Sequence, residues 1–349
     1  MDAKKLLDNS KTSSCVFLTD GGHIDENFYY STHLSKASQI SGTVIVTREE
    51  NVILTNPLEY KLLSGSGKLI IIKSRKDAEH AMKKYTGHTV GMDFSSISAL
   101  RLSRMKKILK GKKIKNISEY VGELRAIKSN AEIKKIKEAC KITETALENI
   151  GKLVKKCRTE KDIALELEYV ARKNGAESAA FQPIVASGKN SALPHHLPGN
   201  VKLSKGILLI DFGVVYDGYC SDLTRVFHIG KCDEKSKYIY QIVYSAQHAA
   251  MEQMNEGTNA IDVHNAADGI LYKQLNQHMI HSLGHGLGID VHDFPQSINS
   301  KSLLLRKNMV LTAEPGYYRN GWGGIRIEDD IVVGSQKRLS KAPSTITEV

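Results

Sequence analysis

Strand-like apolar runs and helical apolar stripes alternate along this chain, and the order in which they come changes near residue 122. Before that point, residues 43–47 and 52–55 are β-rich runs flanking Arg48-Glu49-Glu50-Asn51, which reads as a hairpin. Residues 69–72 and 89–92 are further short strands, and the pattern over 77–84 and 98–109 is helical. These elements predict a small, self-contained α/β domain over residues 1–122. Gly65-Ser66-Gly67-Lys68 hints at a phosphate loop but lacks both the earlier Gly and the Ser or Thr after Lys that such a loop needs. No chemistry is read in this domain.

From 123 to the end at 349 the pattern repeats itself. Ser129 and Glu132 form a capping box, followed by a helical stripe of Ile133, Ile136, Ala139, Thr143, Leu147 and Ile150. A second helix starts at Thr159 and Asp162, runs through Val170 and stops near Gly175. Then come an apolar run ending in Asp211, the turn Asp217-Gly218, and a second strand over 219–227. Helices are expected again over 234–254 and 259–275, and strands over 309–313 and 324–333. Helix, helix, strand pair thus occurs twice, and each strand pair carries two carboxylates: Asp211 with Asp222, then Glu314 with Glu328. The repeat lies in the order of elements, without residue identity between the halves. It predicts two similar halves meeting face to face, with four carboxylates converging between them.

Register refines this. A two-residue turn at Asp217-Gly218 sets Tyr216 opposite Tyr219 and Gly213 opposite Asp222, so Asp211 projects from the same face as Asp222. Gly213, without a side chain, is expected to leave an open slot beside both carboxylates. Facing anions repel, and a bound cation removes the conflict. In the second pair the obvious turn is Asn320-Gly321, but a two-residue loop there would put Glu314 opposite Ile327 and turn Glu328 to the other face. A shared site therefore predicts an irregular connection between Pro315 and Gly324: a three-residue loop, or a bulge at one of the glycines.

Composition bounds the rest. Hydrophobic residues make up 41% and charged residues 25%, ordinary for a soluble globular protein, and 349 residues suggest two domains. No apolar run approaches a bilayer span, and the start, MDAKKLLDNSKTSS, lacks the apolar core of a signal peptide; a cytoplasmic protein without a membrane partner is expected. Five scattered cysteines without a CxxC exclude a disulfide framework or a thiolate zinc cluster. The net charge of +11 is concentrated in segments such as 101–115, which lacks aromatics and nucleic-acid motifs, so it reads as a solvated helix face followed by a basic turn, and nucleic acid is not an expected partner.

Between the second helix pair and the last strands lies HSLGHGLGIDVHDFP, from His281 to Pro295. His281 and His285 have the spacing of a helical zinc pair, but Ser282 stands where the metalloprotease Glu would be, and Gly284, Gly286 and Gly288 disfavour a helix. Alternate glycines instead fit an extended segment whose backbone approaches another strand or a ligand. A histidine there, beside four carboxylates, completes a set of two Asp, one His and two Glu. Such oxygen-rich donors suit divalent manganese, cobalt, iron or zinc. Two dications would neutralise four carboxylates, and a metal pair about 3.5–4 Å apart can hold a bridging hydroxide and polarise a carbonyl. That is equipment for hydrolysing an amide.

The segments IDFGVVYDGYCSDLTR, HSLGHGLGIDVHDFP, LTAEPG and GIRIEDD, with FQPIVASGKNSALPHH and LRAIKSNAEI upstream, resemble in order and spacing the pita-bread metallopeptidases over about 125–345. That family includes methionine aminopeptidase, aminopeptidase P and prolidase. An N-terminal α/β domain ahead of the core, and a separation of only 14 positions from Glu314 to Glu328, resemble the Xaa-Pro branch. The resemblance implies an α/β (α+β) fold: a pita-bread catalytic domain over 123–349 behind a creatinase/prolidase-like domain over 1–122. It implies Asp211, Asp222, His285, Glu314 and Glu328 as ligands of two divalent ions, Mn²⁺ or Co²⁺ foremost, then Zn²⁺ or Fe²⁺, with Asp222 and Glu328 bridging. It further implies that His195 and His292 contact substrate and stabilise the tetrahedral intermediate, and that Glu314 doubles as proton shuttle. Arg326, two residues before Glu328 on one strand, is expected to orient it. Substrates with proline at the second position and a homodimer are the implied partners. Xaa-Pro dipeptides come first and the longer peptides of aminopeptidase P second; Gln296, standing where some prolidases have an Arg for the substrate carboxylate, weakens the dipeptide reading only slightly. A binding protein that has lost activity on the same fold is the third expectation, opposed by the intact ligand set, which also sets the chain apart from creatine amidinohydrolase.

Overall fold

The structure, a computed structural model, describes all residues except Gly21, Gln39 and Gln336. The chain divides into two compact units, Met1–Arg125 and Ala126–Val349. Among the described residues no helix is long and apolar enough to cross a membrane.

The first unit runs α1 (Ala3–Ser10), β1 (Ser14–Thr19), α2 (Glu26–Thr32), β2 (Gly42–Val46), β3 (Asn51–Thr55), β4 (Lys68–Ile71), α3 (Arg75–Tyr85), β5 (Thr89–Met92), α4 (Ala99–Ile108), β6 (Lys113–Asn116) and α5 (Ser118–Ala126). Its strands form one mixed sheet in the order β4-β3-β2-β1-β5-β6. β2 and β3 make the expected hairpin, with Val46 opposite Asn51. The glycine-rich stretch before β4 serves the sheet: a Cβ on Gly67 would lie 2.4 Å from Asn51 O. The basic segment is the expected helix followed by a turn over 109–112, with Gly111 at φ 92°, and it then continues into the edge strand β6, which the sequence did not suggest. Its lysines cap carbonyls: Lys112 Nζ donates to Lys83 O and Thr86 O, and Lys115 Nζ to Ser10 O.

The second unit opens with α6 (Asn130–Glu148), whose capping box of Ser129 and Glu132 is present, then a short α7 (Ile150–Lys156) that the sequence did not suggest. α8 (Glu160–Lys173) starts with a second capping box, Thr159 with Asp162. β7 (Ser178–Ala179), β8 (Ile184–Ser187), β9 (Gly206–Phe212), β10 (Val214–Tyr216), β11 (Tyr219–Cys220) and β12 (Leu223–Ile229) follow. The order then recurs: α9 (Glu234–Gln253), α10 (Ala260–Leu275), β13 (Val310–Ala313), β14 (Gly316–Arg319), β15 (Gly323–Arg326) and β16 (Asp329–Val332). Two short strands, β17 (Lys337–Arg338) and β18 (Thr347–Glu348), close the chain, pairing with β16 and β12.

Two cores result, and β9 is shared between them. Ile207 and Leu209 pack with Val243, Ala246 and Ala250 of α9 and with Val263 and Ala267 of α10. Leu208, Ile210 and Phe212, one residue out of phase, pack with Ala139 and Ile142 of α6 and Ile163 and Leu167 of α8. On this alternation Asp211 takes the place of the next apolar residue after Ile207 and Leu209. A buried strand carrying a carboxylate in an apolar row is the first structural mark of a site.

Candidate active site

Each carboxylate sits where a strand is interrupted. Asp211 lies near the end of β9, just before the break at Gly213; Asp222 falls between β11 and β12, Glu314 between β13 and β14, and Glu328 between β15 and β16. The long strands expected over 219–227 and 324–333 are therefore each broken at their ligand candidate. One register nevertheless runs through the first pair, with Tyr216 opposite Tyr219 and Asp211 opposite Thr224. Asp217 and Gly218 both have positive φ, as a tight turn requires. The slot expected at Gly213 is filled. A Cβ there would lie 2.0 Å from Ser221 O and 2.8 Å from the Phe181 ring, so the glycine permits close backbone approach instead of leaving space.

In the second pair Arg319 lies opposite Gly323, and Asn320, Gly321 and Trp322 form a three-residue loop with Gly321 at φ 79°. This loop supplies the odd residue that parity demands. The count that pairs Ala313 with Asp329 and Gly316 with Arg326 brings Glu314 opposite Glu328.

His285 comes from an extended segment laid along β13. Glu314 N donates to Leu283 O (2.8 Å), Thr312 N to His285 O (2.9 Å) and Leu287 N to Val310 O (3.0 Å). The alternate glycines allow this fit, since a Cβ on Gly284 would lie 2.2 Å from Thr312 O and one on Gly286 2.4 Å from Phe294 O. His285 Nδ1 faces Gly286 O at 3.1 Å and so carries the proton. Burial, then the neighbouring His292, push its pKa down to about 4, which keeps the ring neutral at pH 7. Its Nε2 lone pair then points at Asp222 Oδ2 (3.6 Å) and Glu314 Oε1 (3.4 Å).

Asp211, Asp222, His285, Glu314, Glu328, His195 and His292 all line one cavity of about 410 Å³. Ligand atoms of Asp222, His285 and Glu328 lie within 4.8 Å of one another. Asp211 Oδ1 and Asp222 Oδ1 are buried without a hydrogen-bond partner. Burial, then mutual repulsion, raises the pKa of Asp222 and of Glu328 well above the carboxylate range. Burial also raises Glu314, to about 8, against the opposing pull of Arg326. Lone pairs from oxygen and imidazole converge here with few neighbouring donor groups to satisfy them, and buried polar atoms lacking partners carry a free-energy cost. Divalent cations fit this donor set, and coordination would satisfy both orphaned oxygens.

The surroundings differ from expectation in one respect. Arg326 does not touch Glu328: its Nη2 donates to Asp211 Oδ2 (2.6 Å), its Nε to Thr224 Oγ1 (3.0 Å) and its Nη1 to the Tyr318 hydroxyl (2.8 Å). Thr224 Oγ1 in turn donates to Glu328 Oε2 (2.6 Å), so the guanidinium reaches that glutamate through a hydroxyl. Thr312 Oγ1 plays the like part for Glu314 Oε1 (3.2 Å). Both threonines were legible by alternation, two residues after Asp222 and two before Glu314, but were overlooked. His281, discarded as half of a zinc pair, also lines the cavity, with Nε2 3.0 Å from the Tyr318 hydroxyl and a pKa lowered to about 4 by burial. No local sequence signal marks that contact across 37 residues.

His195 and His292 reach the cavity by different routes. His195 follows a short 3-10 turn, Gly188–Ala192. Its neighbour His196 holds the loop through Nε2, 2.8 Å from Oε2 of the fully buried Glu160, whose Oε1 accepts Ser187 N and Asn190 Nδ2. His292 packs edge-on against His285, ring centroids 4.1 Å apart.

Comparison with known proteins agrees with this geometry. Residues 134–335 match the model of metallopeptidase family M24, and residues 4–127 that of the creatinase/prolidase N-terminal domain. An Xaa-Pro dipeptidase of Pyrococcus horikoshii is 33% identical over 345 residues, covering 95% of this chain and 97% of the relative. Among solved structures, a prolidase from the same species superposes with a TM-score of 0.86 at 31% identity over 98% of both chains. An X-Pro aminopeptidase from Thermotoga maritima superposes with a TM-score of 0.87 at 29% identity over 99% of both chains.

Proposed function

This chain belongs to metallopeptidase family M24, with a creatinase/prolidase-type domain ahead of a pita-bread domain, and on that premise we propose that it hydrolyses the peptide bond preceding proline, Xaa-Pro dipeptides foremost. The family implies divalent metal ions. The observation that carries the residue assignment is the convergence of Asp211, Asp222, His285, Glu314 and Glu328 on one cavity, with two buried carboxylate oxygens left without partners. These five residues would hold two divalent ions, Mn²⁺ or Co²⁺ foremost. Bound there, the ions would supply a nucleophilic water at neutral pH and polarise the scissile carbonyl.

The other residues complete the chemistry. Glu314 takes the proton of the attacking water and passes it to the departing proline nitrogen. His195 and His292 line the same cavity and stabilise the negative charge that develops on the carbonyl oxygen. Arg326 fixes Asp211 and, through Thr224, Glu328. Phe181 and Ile184 give one wall an apolar surface for the pyrrolidine ring. The choice of substrate follows from the amide itself. An Xaa-Pro bond has no N–H and populates cis, so a peptidase that grips that N–H cannot use it, whereas attack on a polarised carbonyl needs no such donor.

Action on longer Xaa-Pro peptides is the second reading, favoured by one observation. Among the described residues lining the cavity, Arg326 is the only Lys or Arg, and Asp211, Thr224 and Tyr318 already engage it. Gln296 lines the cavity too, but its Nε2 donates to His292 O (3.0 Å). The test is hydrolysis by the Mn²⁺- or Co²⁺-loaded protein of Xaa-Pro dipeptides beside Xaa-Pro-Yaa tripeptides. Faster dipeptide cleavage supports the first reading and faster tripeptide cleavage the second. Cleavage of neither, with Xaa-Ala peptides cut, overturns both.

A further inference from the structure

We propose that Gln247 and Asp329, on the side of the second strand pair turned away from the cavity, are positioning residues that set the separation of Glu314 and Glu328. The inference rests on reading those glutamates as metal ligands. Along β16 and its approach, Ile327, Ile331 and Val333 pack into the core beneath α9 and α10. Asp329 occupies the same alternate row and is completely buried, an acid where the pattern calls for an aliphatic side chain. It therefore faces away from the row of Glu328 and is no candidate ligand, although it follows that glutamate directly.

What Asp329 does instead is gather donors. Its Oδ1 accepts Arg225 Nη2 (2.8 Å) and Ser340 Oγ (2.6 Å), and its Oδ2 accepts Gln247 Nε2 (3.2 Å) and Ala342 N (3.3 Å). Gln247, fully buried on α9, also directs Nε2 at Ala313 O (3.0 Å) and Ile327 O (3.3 Å). Those two carbonyls belong to the residues immediately before Glu314 and Glu328. Arg225 Nη1 donates to Glu328 O (2.5 Å) and Thr224 O (3.1 Å). One amide nitrogen thus bridges both strand interruptions, and the guanidinium fixes the next carbonyl along.

The orientation of the amide is decided by its surroundings. All three groups near Nε2 are acceptors, so only the nitrogen can face them, which leaves Gln247 Oε1 buried without a partner. Accepting an orphaned oxygen costs stability, and it is offset only if the carbonyls at the breaks would otherwise go unpaired. The breaks exist to turn the glutamates toward the cavity, so the clamp behind them fixes where those carboxylates stand.

The test uses the full chain. Mn²⁺ is titrated calorimetrically into metal-free wild type, Gln247→Met and Ser340→Ala, and the EPR spectrum of the loaded proteins reports coupling between the two ions. Gln247→Met keeps the side-chain length and removes both donor hydrogens. It is expected to weaken Mn²⁺ binding about 10–100-fold, the usual effect of losing a group that orients a ligand, and to alter the coupling. A folded Gln247→Met with wild-type affinity and unaltered coupling overturns the proposal. If that variant does not fold, Ser340→Ala decides, because it removes one donor from Asp329 and touches neither glutamate: weakened binding supports the clamp, and wild-type binding overturns it. A wild type that takes up no Mn²⁺ overturns the reading of the glutamates as ligands and the clamp with it, whereas normal wild-type binding with unaffected variants overturns the clamp alone.

Discussion

Asp222 concentrates the conflict that defines the site. Its side chain is buried, its Oδ1 has no partner, and burial followed by the charges of Glu328 and Asp211 raises its pKa well above the usual range. Asp222→Asn keeps the shape and removes the charge. In chelator at pH 8 its melting temperature is expected to equal or exceed that of wild type, while hydrolysis falls more than about 10²-fold, beyond the usual loss from a group that only orients a ligand. Scanning calorimetry and a peptide assay check the two halves of that expectation, and wild-type turnover in metal-replete buffer would refute a ligand role. His195→Ala probes a different function: kcat is expected to drop about 10²–10³-fold with the metal content of the purified protein unchanged. Metal lost in step with activity would show that His195 supports the ions and not the oxyanion. His292 is the poorer probe, since its ring rests on that of His285. At this scale the sequence was informative wherever a residue type clashes with its pattern, as with a carboxylate ending an apolar run. It was silent on partners such as Tyr318, whose type fits its local surroundings, while Gln247, a polar residue in the buried stripe of α9, was a clash left unread.

At the scale of elements, the parity of loops and the placing of glycines carried most of the legible content. The three-residue loop at Asn320–Trp322 was deducible because a shared face for Glu314 and Glu328 excludes an even count. The strand breaks were not read because β-formers stand on both sides of each ligand candidate, Tyr219 and Leu223-Thr224 around Asp222 and Ile327 and Ile331 around Glu328, where the backbone leaves one sheet for another. β1 was missed for a related reason: as an inner strand of the first sheet it is apolar on both faces and shows no alternation. The segment that carries His285 offers a sharp test. In Gly284→Ala the new methyl would lie 2.2 Å from Thr312 O, which cannot withdraw without breaking the bonds that join residues 283–287 to β13. Overpacking of this kind costs about 1–3 kcal/mol, and here the displaced group is a ligand candidate. A lower melting temperature in chelator and weaker Mn²⁺ binding are both expected. A variant that loses stability but binds Mn²⁺ as wild type does would mean that the edge of β13 does not hold His285 in place.

For the whole molecule, the order of elements disclosed the two-half design although no residue identity links the halves, because each half must bury its own helical layer against a strand pair while exposing carboxylates to the other. The design also makes folding depend on charge. Glu314 sits among Asp211, Asp222, Glu328 and Asp330, with Arg326 and the neutral His285 as the other near groups, and its pKa stands at about 8 against an ordinary 4.5. Between those two values the folded protein holds a proton that the unfolded chain has released, so stability falls as pH rises. This contribution is fully present below 4.5 and is lost as pH passes through about 8. Metal acts in the opposite sense, because deprotonated carboxylates bind it more tightly, and an ion that binds only the folded state at 100 times its Kd adds about 2.7 kcal/mol. Metal-free protein is therefore expected to lose more stability between pH 5 and pH 8 than its Glu314→Gln variant, in which this titration is absent. Added Mn²⁺ should raise the wild-type melting temperature more at pH 8 than at pH 5. Calorimetry of both proteins at the two pH values, in chelator and in Mn²⁺, decides the matter: parallel pH profiles for wild type and Glu314→Gln in chelator would show that the raised carboxyl contributes nothing to folding.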